Sequence, residues 1–345
     1  MTLPQTYIAT LVLTILTMLC WGSWANTFKL AGNWRFELFY FDYSFGVLLA
    51  ALFAAFTFGT LGSDGFQFMD DLMQTGKRNI LFGFLGGVVF NLANMLLVAA
   101  ISVAGMAVAY PVGIGLALVI GVVWTYVIKP QGNPVLLFGG AAIILLAIVM
   151  DAFAYKAHTA ARLEHQAKAG LLKTSAPKVS LKGVILSLVS GVLMGSFYPL
   201  VEMGKAWGVG MGPYAIGFVF ALGIFTSTFV FNLFFMNLPV QGEPVEVLEY
   251  IREGTWKQHL LGIAGGVIWY SGGLANFVAA SAEPQAKVGP AVSYALGQGA
   301  VLISVLWGLL VWKEFSGADF RVKNLLYVMM ALFIFGLGMV SVASR

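Results

Sequence analysis

Ten long apolar runs determine what this chain can fold into, because they take up most of its 345 residues. A membrane-spanning helix needs about 20 apolar residues, and every run reaches that length. Charged residues make up 10% of the sequence, against roughly 25% in an ordinary soluble domain. This composition excludes a soluble enzyme, a disordered chain and a nucleic-acid-binding protein. The runs lie at about 8–31, 38–61, 80–100, 106–128, 135–155, 181–201, 213–238, 259–280, 289–312 and 322–343.

Helices are the structure that these runs predict. Backbone polar groups in lipid must be bonded within a helix or a closed barrel, and the runs lack the alternation of a barrel strand. A polar, basic segment at 156–180 separates the first five runs from the last five. We therefore predict an all-α integral membrane protein of ten transmembrane helices, with two five-helix repeats at 1–155 and 181–345 joined by a basic linker.

The distribution of basic residues predicts the orientation in the membrane. Of the 19 Lys and Arg residues, 13 fall on the side of the linker and six on the other side, which also carries both termini. The positive-inside rule then places the linker in the cytoplasm and both termini outside. Six of the 13 lie in residues 156–182, so the orientation depends mainly on that segment.

The two halves of the chain resemble each other. Residues 105–115 (GMAVAYPVGIG) recur as residues 289–299 (GPAVSYALGQG), and the same offset aligns Leu118 with Leu302. Further aligned residues are Gly83, Gly86 and Gly87 with Gly262, Gly265 and Gly266, and Gly22-Ser23 with Gly195-Ser196. Because five spans per repeat is an odd number, the second copy must enter the membrane from the opposite side. Inverted repeats are typical of secondary transporters, whose substrate site lies near the midplane between the repeats.

The sequence lacks the motifs of common catalytic sites. All three histidines, at 158, 165 and 259, were expected in or beside loops, which predicts no metal site within the membrane. Neither a G-x-S-x-G elbow nor a G-x-x-x-x-G-K-[ST] phosphate loop is present. We therefore predict no enzyme, no ATP-driven pump and no cofactor, and we expect an ion gradient to supply any energy.

Amide and aromatic side chains within the runs predict a cavity for a flat, uncharged, polar solute. They occur on equivalent spans of the two repeats, and we expect spans one, three, four, six, eight and nine to bound the cavity. The alternative is that the amides only bond one helix to another and the glycines only allow close packing. The candidate substrate-binding residues are Trp24, Asn26, Asn91, Asn94, Tyr110, Tyr198, Trp269, Tyr270, Asn276, Tyr294 and Gln298.

Ionisable groups inside membrane spans are costly and point to function. Asp42 lies about one turn inside the second run, and Glu202 closes the sixth. We predict that they couple transport to protons, with Asp42 favoured because Tyr40 and Tyr43 flank it. The alternative for Asp42 is a permanent ion pair with Arg35 or Lys29. For Asp151, near the end of the fifth run, we favour a simple boundary position.

Two matching stretches precede the third and eighth runs, Asp64–Arg78 and Glu243–Lys257. Each mixes apolar residues with acids, which is typical of a short helix that lies on a membrane surface. We predict one such helix on each face, with a solvated connector as the alternative.

Three segments resemble a known family. The ten-span inverted repeat looks like the drug/metabolite transporter superfamily. Within that superfamily, residues 20–30 (CWGSWANTFKL), 39–43 (FYFDY) and 86–94 (GGVVFNLAN) resemble the ureide permeases. The resemblance implies import of allantoin, uracil and related ureides or oxopurines together with protons. The glucose/ribose and rhamnose porters look like the next closest relatives, because they share the type of eighth span seen at 265–270.

The combined prediction is a secondary transporter of a bacterial-type cell inner membrane. It is expected to move a small neutral polar solute by alternating access, with protons as the coupling ion. The alternatives are a sugar porter, an exporter of metabolites or drugs and, remotely, a non-transporting membrane scaffold. The expected partners are the small solute, protons and membrane lipids, with no nucleic acid, and the sequence predicts no particular oligomer.

Overall fold

The computed structural model describes residues 1–104, 106–168, 181–206, 208–240 and 242–343. Every regular element in these ranges is helical. The helices are α1 (Tyr7–Ser23), α2 (Ala25–Leu30), α3 (Phe36–Phe56), α4 (Phe58–Leu61), α5 (Phe68–Gln74), α6 (Lys77–Ala104), α7 (Met106–Ile128), α8 (Pro134–Lys168), α9 (Leu181–Ala206), α10 (Pro213–Asn237), α11 (Val247–Arg252), α12 (Trp256–Ala280), α13 (Pro290–Gly297), α14 (Ala300–Leu310) and α15 (Phe320–Val342), with a single 3₁₀ turn at Pro284–Ala286.

Nine segments in the described ranges are long and apolar enough to cross a membrane. They correspond to nine of the ten predicted spans; α1 with α2, α3 with α4 and α13 with α14 each form one of them. The fourth predicted span, at 106–128, coincides with α7, of which Val112–Ile128 is a shorter apolar helix. The structure therefore confirms an all-helical, multi-span chain, while the count of ten crossings stays a prediction.

Two spans are interrupted inside the bundle. The first is broken at Trp24, between α1 and α2, and the ninth at Gln298 and Gly299, between α13 and α14. The N–H groups of Gln298 and Gly299 donate to carbonyl oxygens three residues back, at 3.2 and 2.9 Å, instead of four residues back as in an α-helix. Glycine weakens a helix interior, and residues 297–299 place two glycines around Gln298.

The helix α8 continues beyond the fifth apolar run. Residues 156–168 belong to α8 without interruption, while the division of the chain into repeats and linker at 155 and 156 stays a prediction. The physical reason is that this stretch is rich in Ala, Lys, Arg, Glu and Gln, which are strong helix formers, and contains neither Gly nor Pro. The rest of the predicted linker, at 169–180, lies outside the described residues.

Helices of each half pack mainly against helices of the other half. The third span, α6, packs against α9 of the second half, and its counterpart α12 packs against α1 of the first half. In the same way α6 packs on α10 and α12 packs on α3, while α8 and α15, which end the two halves, pack on each other. Each half therefore completes the core of the other.

Paired glycines allow the closest of these contacts. A Cβ atom at Gly87 of α6 would collide with the carbonyl oxygen of Phe220 in α10. At the corresponding position of the second half, a Cβ atom at Gly266 of α12 would collide with the carbonyl oxygen of Tyr43 in α3. Small residues let helix backbones approach in this way, which accounts for the glycines that the two halves share.

The two stretches that precede the third and eighth spans each contain a short helix, as predicted. They are α5, which packs beside α10, and α11, which packs beside α3. A capping box begins α11, in which Glu246 and Glu249 bond each other's backbone N–H groups. Their positions on the membrane surface remain a prediction.

Candidate functional site

A cavity of about 130 Å³ lies between the two halves. Spans one, three, four, six, eight and nine contribute its wall, which is the set of spans expected from the sequence. Five of the predicted substrate-binding residues line it: Trp24, Asn94, Trp269, Tyr294 and Gln298. The other lining residues are Trp21, Phe90, Leu97, Ile114, Met194, Phe197, Ala300 and Val301.

Both helix interruptions lie in the wall of this cavity. Trp24 stands where α1 gives way to α2, and Gln298 where α13 gives way to α14. Irregular backbone at membrane depth is tolerated where it is buried in protein or lines a cavity. Broken helices at the repeat interface are also the usual place of substrate sites in transporters.

Aromatic rings form the flat walls of the cavity. The Trp269 ring stacks on Phe90, with centroids 4.3 Å apart, and lies within 12° of parallel to the Trp21 ring at 6.0 Å. The Trp24 ring rests on Tyr43 at 5.0 Å. Such pairs contribute about 0.5–1.5 kcal/mol each beyond the area they bury, so the walls are held rigidly before any solute arrives.

Two amides supply the polar groups of the cavity, one from each half. Asn94 donates its Nδ2 to the hydroxyl oxygen of Tyr40 at 3.1 Å, and its Oδ1 has no hydrogen-bond partner among the described residues. The Gln298 side chain likewise bonds no described residue, and it lines the cavity. A carboxamide offers both a donor and an acceptor, so these two groups can bond a solute that carries N–H and C=O groups.

Asn91 and Asn276 are not among the residues that line this cavity. Asn91 donates its Nδ2 to the hydroxyl oxygens of Ser227 and Thr228 at 2.8 and 3.1 Å. Asn276 donates to the carbonyl oxygen of Ser293 at 2.9 Å. Both are fully buried, and their amides bond one helix to another, so a role in substrate binding stays a prediction for them.

Three other predicted residues, Tyr198, Tyr270 and Asn26, also lie outside the described cavity wall. Tyr198 is buried behind Tyr294, with ring centroids 4.9 Å apart, and Tyr270 packs against α10, where its hydroxyl would meet any side chain at Gly217. Asn26 accepts a hydrogen bond from the Trp312 Nε1 at 2.5 Å, away from the cavity. The side chain of Tyr110 lies outside the described residues.

Asp42 is buried and bonded, but not by the residues that the sequence indicated. Its Oδ1 accepts a hydrogen bond from the Tyr250 hydroxyl of α11 at 2.5 Å, and its Oδ2 lies 2.8 Å from Nδ1 of His259 in α12. Burial and the adjacent carboxylate raise the pKa of Tyr250, so this hydroxyl keeps its proton and donates it. The expected partners are engaged elsewhere: Arg35 pairs with Glu37, and Lys29 with Glu314.

Glu202 forms an ion pair with Lys205, three residues later in α9, at 2.7 Å. Both side chains are buried, at 1% and 8% exposure. This pair lies at the end of the bundle opposite the connection between α8 and α9. We call that end the opposite side, and the end at which α8 and α9 are connected the linker side.

A second network on the linker side was not predicted. Glu314, in the loop between α14 and α15, pairs with Lys29 through its Oε1 at 2.5 Å and accepts from the Tyr155 hydroxyl through its Oε2 at 2.8 Å. His158 Nε2 lies 2.9 Å from the backbone oxygen of Glu314. Lys29 also lies over the Trp312 ring, 4.3 Å from its centroid.

Some of the missed residues carry a signal in the sequence and others do not. Trp21 precedes Trp24 by three residues and Phe90 precedes Asn94 by four, so each lies on the helix face of a predicted cavity residue. His259 was expected in or beside a loop, and it lies in the first turn of α12, three residues after the helix begins. Glu314 and Tyr250 come from loops and short helices, and no periodicity indicates which buried residue they contact.

Comparison with known proteins adds family information to this geometry. A sequence model of the ureide permease family matches residues 39–182. The chain is 23% identical to ureide permease 1 of Arabidopsis thaliana over 359 residues, which cover 88% of each chain. It is also 23% identical to ureide permease 2 of the same plant, over 95% of this chain and 94% of that protein. The probable ureide permease A3 of Vigna unguiculata is 33% identical over 115 residues, about a third of each chain.

A solved crystal structure shares the fold. It superposes with a TM-score of 0.61 over 97% of this chain and 96% of that one, at 16% sequence identity. The arrangement of helices described above therefore exists in an experimental structure. The two Arabidopsis relatives are named as permeases, and they match along 88% and 95% of this chain.

Proposed function

We propose that this protein is a secondary transporter for a small, flat, uncharged solute of the ureide or nucleobase kind. The central cavity carries the proposal, because the Asn94 amide of one half and the Gln298 amide of the other meet there among three tryptophan rings. The chain around this cavity is similar to ureide permeases along 88–95% of its length.

The size of the cavity favours a solute with one ring. An engineered cavity of ~150 Å³ in another protein holds benzene, and the volume here is about 130 Å³. A planar six-membered or five-membered ring fits between the aromatic walls, whereas a two-ring oxopurine requires one wall to move. The amides of Asn94 and Gln298 match the alternating N–H and C=O groups of a ureide.

We further propose that the two halves are inverted repeats that operate by alternating access. A pseudo-two-fold relation between the halves is supported by two pairs of contacts. The helix α6 packs on the second half as α12 packs on the first, and Gly87 and Gly266 make equivalent close approaches. A site between two such halves can be opened to one side and then to the other by rocking one half against the other.

Proton coupling is proposed at Asp42, with Glu202 as the weaker candidate. Asp42 joins three segments through Tyr250 and His259, so a change in its charge alters contacts among α3, α11 and α12. Glu202 pairs with Lys205 of its own helix, so the ion pair that its protonation would break lies within α9. For the membrane orientation, the basic residues support a cytoplasmic linker, outer termini and an inner-membrane location.

Thermal-shift measurements on the purified protein test the solute class. The ligands are uracil, allantoin, xanthine, glucose, ribose and rhamnose, and a ligand at 100 times its Kd should stabilise the protein by about 2.7 kcal/mol. We expect uracil or allantoin to stabilise it most and the sugars not at all. If only a sugar stabilises the protein, the assignment to ureides is overturned. If none of these ligands shows counterflow in proteoliposomes, the proposal that the protein is a transporter is overturned.

Asp42→Asn in proteoliposomes tests the coupling site, because asparagine imitates the protonated carboxyl. We expect loss of accumulation driven by a pH gradient and retention of solute exchange at equilibrium. His158→Gln serves as the control, since His158 is another linker-side histidine without contact to Asp42. Normal gradient-driven accumulation by Asp42→Asn excludes this residue as the coupling site.

Reporter fusions test the orientation. We expect an outer-side signal at Arg345 and a cytoplasmic signal within 171–175, because the basic residues favour the linker side. A cytoplasmic signal from the fusion at Arg345 reverses the assignment.

A further inference from the structure

We propose that Asp151 of α8 binds a proton and thereby controls the Lys29–Glu314 ion pair on the linker side. This control would regulate the transporter and in that respect rests on the proposed function, whereas the proton site itself does not depend on it. Its test needs no solute, so it can fail while the transport proposal stands, and the reverse is also possible.

Asp151 is a buried carboxyl with an unpartnered oxygen. The residue is 6% exposed, and its Oδ1 has no hydrogen-bond partner among the described residues. This oxygen lacks both water and a donor, which makes the charged form of the carboxyl costly. The protonated carboxyl carries no charge, so its burial costs much less.

Glu314 has the complementary environment. Lys29 occupies one of its carboxylate oxygens and the Tyr155 hydroxyl the other. Tyr155 lies one helical turn from Asp151 on the same face of α8, which makes Glu314 a neighbour of Asp151. Two neighbouring carboxyls avoid ionising together, and the one with more donors remains the anion. Glu314 is therefore the charged member of the pair, and Asp151 holds the proton.

Neighbouring elements offer Asp151 no other described counter-charge. Its own helix contributes Tyr155 and His158, which bond Glu314, and Lys156, whose side chain is exposed to solvent. The helix α15 packs along α8 and carries Arg321 and Lys323 near its start, both exposed to solvent. The helix α7 contains no charged residue, and Tyr294 of α13 donates its hydroxyl to the carbonyl oxygen of Ala117.

Loss of the Asp151 proton therefore has a defined consequence. A second negative charge beside Glu314 competes for Lys29 and repels Glu314 from Tyr155. Lys29 ends the first span and Glu314 lies between α14 and α15, so the change loosens the contact between these segments. Acidic conditions on the linker side keep the contact closed, and alkaline conditions open it.

Infrared difference spectroscopy of the purified protein detects the proton directly. At neutral pH the wild type should show a carbonyl stretch of a protonated carboxyl group that is absent from Asp151→Asn. Asp71→Asn is the matched control, because Asp71 is a second buried acid on the opposite side. The component that Asp151→Asn lacks should persist in that control, and its persistence in Asp151→Asn itself would overturn the proposal.

Distance measurements between spin labels report the contact. The labels are placed at exposed positions on the two sides of the contact, Leu30→Cys and Ser316→Cys, in a Cys20→Ser background. From acidic to alkaline buffer, we expect the longer-distance population to rise about two- to fivefold, the range that a half-exposed ion pair supports.

Two variants separate the proton site from the ion pair. Asp151→Asn should hold the short distance at every pH, while Glu314→Gln should show the long distance already in acid. The proposal is contradicted if the distances in the otherwise wild-type protein do not change with pH. It is also contradicted if Asp151→Asn shows the same pH response as the wild type. If Asp151→Asn does not fold, a pH-independent Glu314→Gln supports the proposal, and a Glu314→Gln that keeps the wild-type response overturns it.

Discussion

The linker side and the opposite side of the bundle are both held by an ion pair, but the two pairs join different things. On the linker side, Lys29 of the first span reaches Glu314 of the loop before the last span, and Tyr155 of the fifth span joins them. On the opposite side, Glu202 and Lys205 both belong to α9. One pair connects segments that are far apart in the chain, and the other connects a helix to itself.

The pairs also differ in burial, and this decides what each contributes. The linker-side pair is 42% and 32% exposed, and the opposite pair is 8% and 1% exposed. A half-exposed pair adds little to stability, whereas removal of one partner from a buried pair leaves an uncompensated charge. The comparison teaches that the opposite pair maintains the fold and that the linker-side pair can open at little cost.

Lys205→Met should have the largest effect, because it leaves the Glu202 charge buried and unpaired. We expect the free energy of unfolding to fall by about 3–5 kcal/mol, measured by denaturant unfolding in detergent. The double variant Lys205→Met with Glu202→Gln should recover most of the loss. If Lys205→Met unfolds like the wild type, the contrast between the two sides is wrong.

Asn94→Ala tests the cavity that lies between the two sides. Removing an amide that bonds the solute should cost about 1–3 kcal/mol of binding free energy, measured by titration calorimetry with the solute found in the thermal screen. Asn237→Ala, which removes an exposed amide that bonds only its own helix, is the matched control. If Asn94→Ala and Asn237→Ala bind the solute with equal affinity, Asn94 does not bind the solute.

Lys29→Met should have a small effect on stability, about 0.2–1 kcal/mol, because the pair that it breaks is half exposed. A double-mutant cycle with Glu314→Gln, read by the same unfolding assay, gives the coupling energy directly. A coupling as large as that of Lys205 with Glu202 erases the difference between the sides and argues against an easily opened contact.

Asp71→Asn should have the smallest effect on the free energy of unfolding, and the effect should depend on pH. Burial raises the pKa of Asp71, although the N–H of Gly212 donates to its carboxylate at 2.8 Å and lowers it in part. An acid with a raised pKa in the fold lowers stability as the pH rises from the pKa of the unfolded chain through that of the fold. Unfolding at several pH values should therefore show that this loss disappears in Asp71→Asn.

The sequence predicts the helices well because lipid leaves the backbone few alternatives. Span positions follow from runs of apolar residues, and the cavity residues Trp24, Asn94 and Gln298 follow from polar groups within those runs. The helix α8 continues past the apolar run that ends at residue 155, because hydropathy falls at Lys156 while helix propensity does not.

The partners of buried groups were not predictable in the same way. The helix face of Asn91 is evident from the sequence, but whether it meets a cavity or the hydroxyl groups of Ser227 and Thr228 depends on how helices from different halves pack. The same holds for Asp42, whose partners Tyr250 and His259 are more than 200 positions away. One sequence contains no record of such pairings.

The length of α8 has a practical consequence. At 1.5 Å per residue, its 35 residues extend about 50 Å, while the hydrocarbon layer is about 30 Å thick. The helix is therefore roughly 20 Å longer than the hydrocarbon layer is thick. A rigid helical fusion partner joined in register at Lys168 would give this small, nearly featureless particle a landmark for image alignment in electron cryomicroscopy.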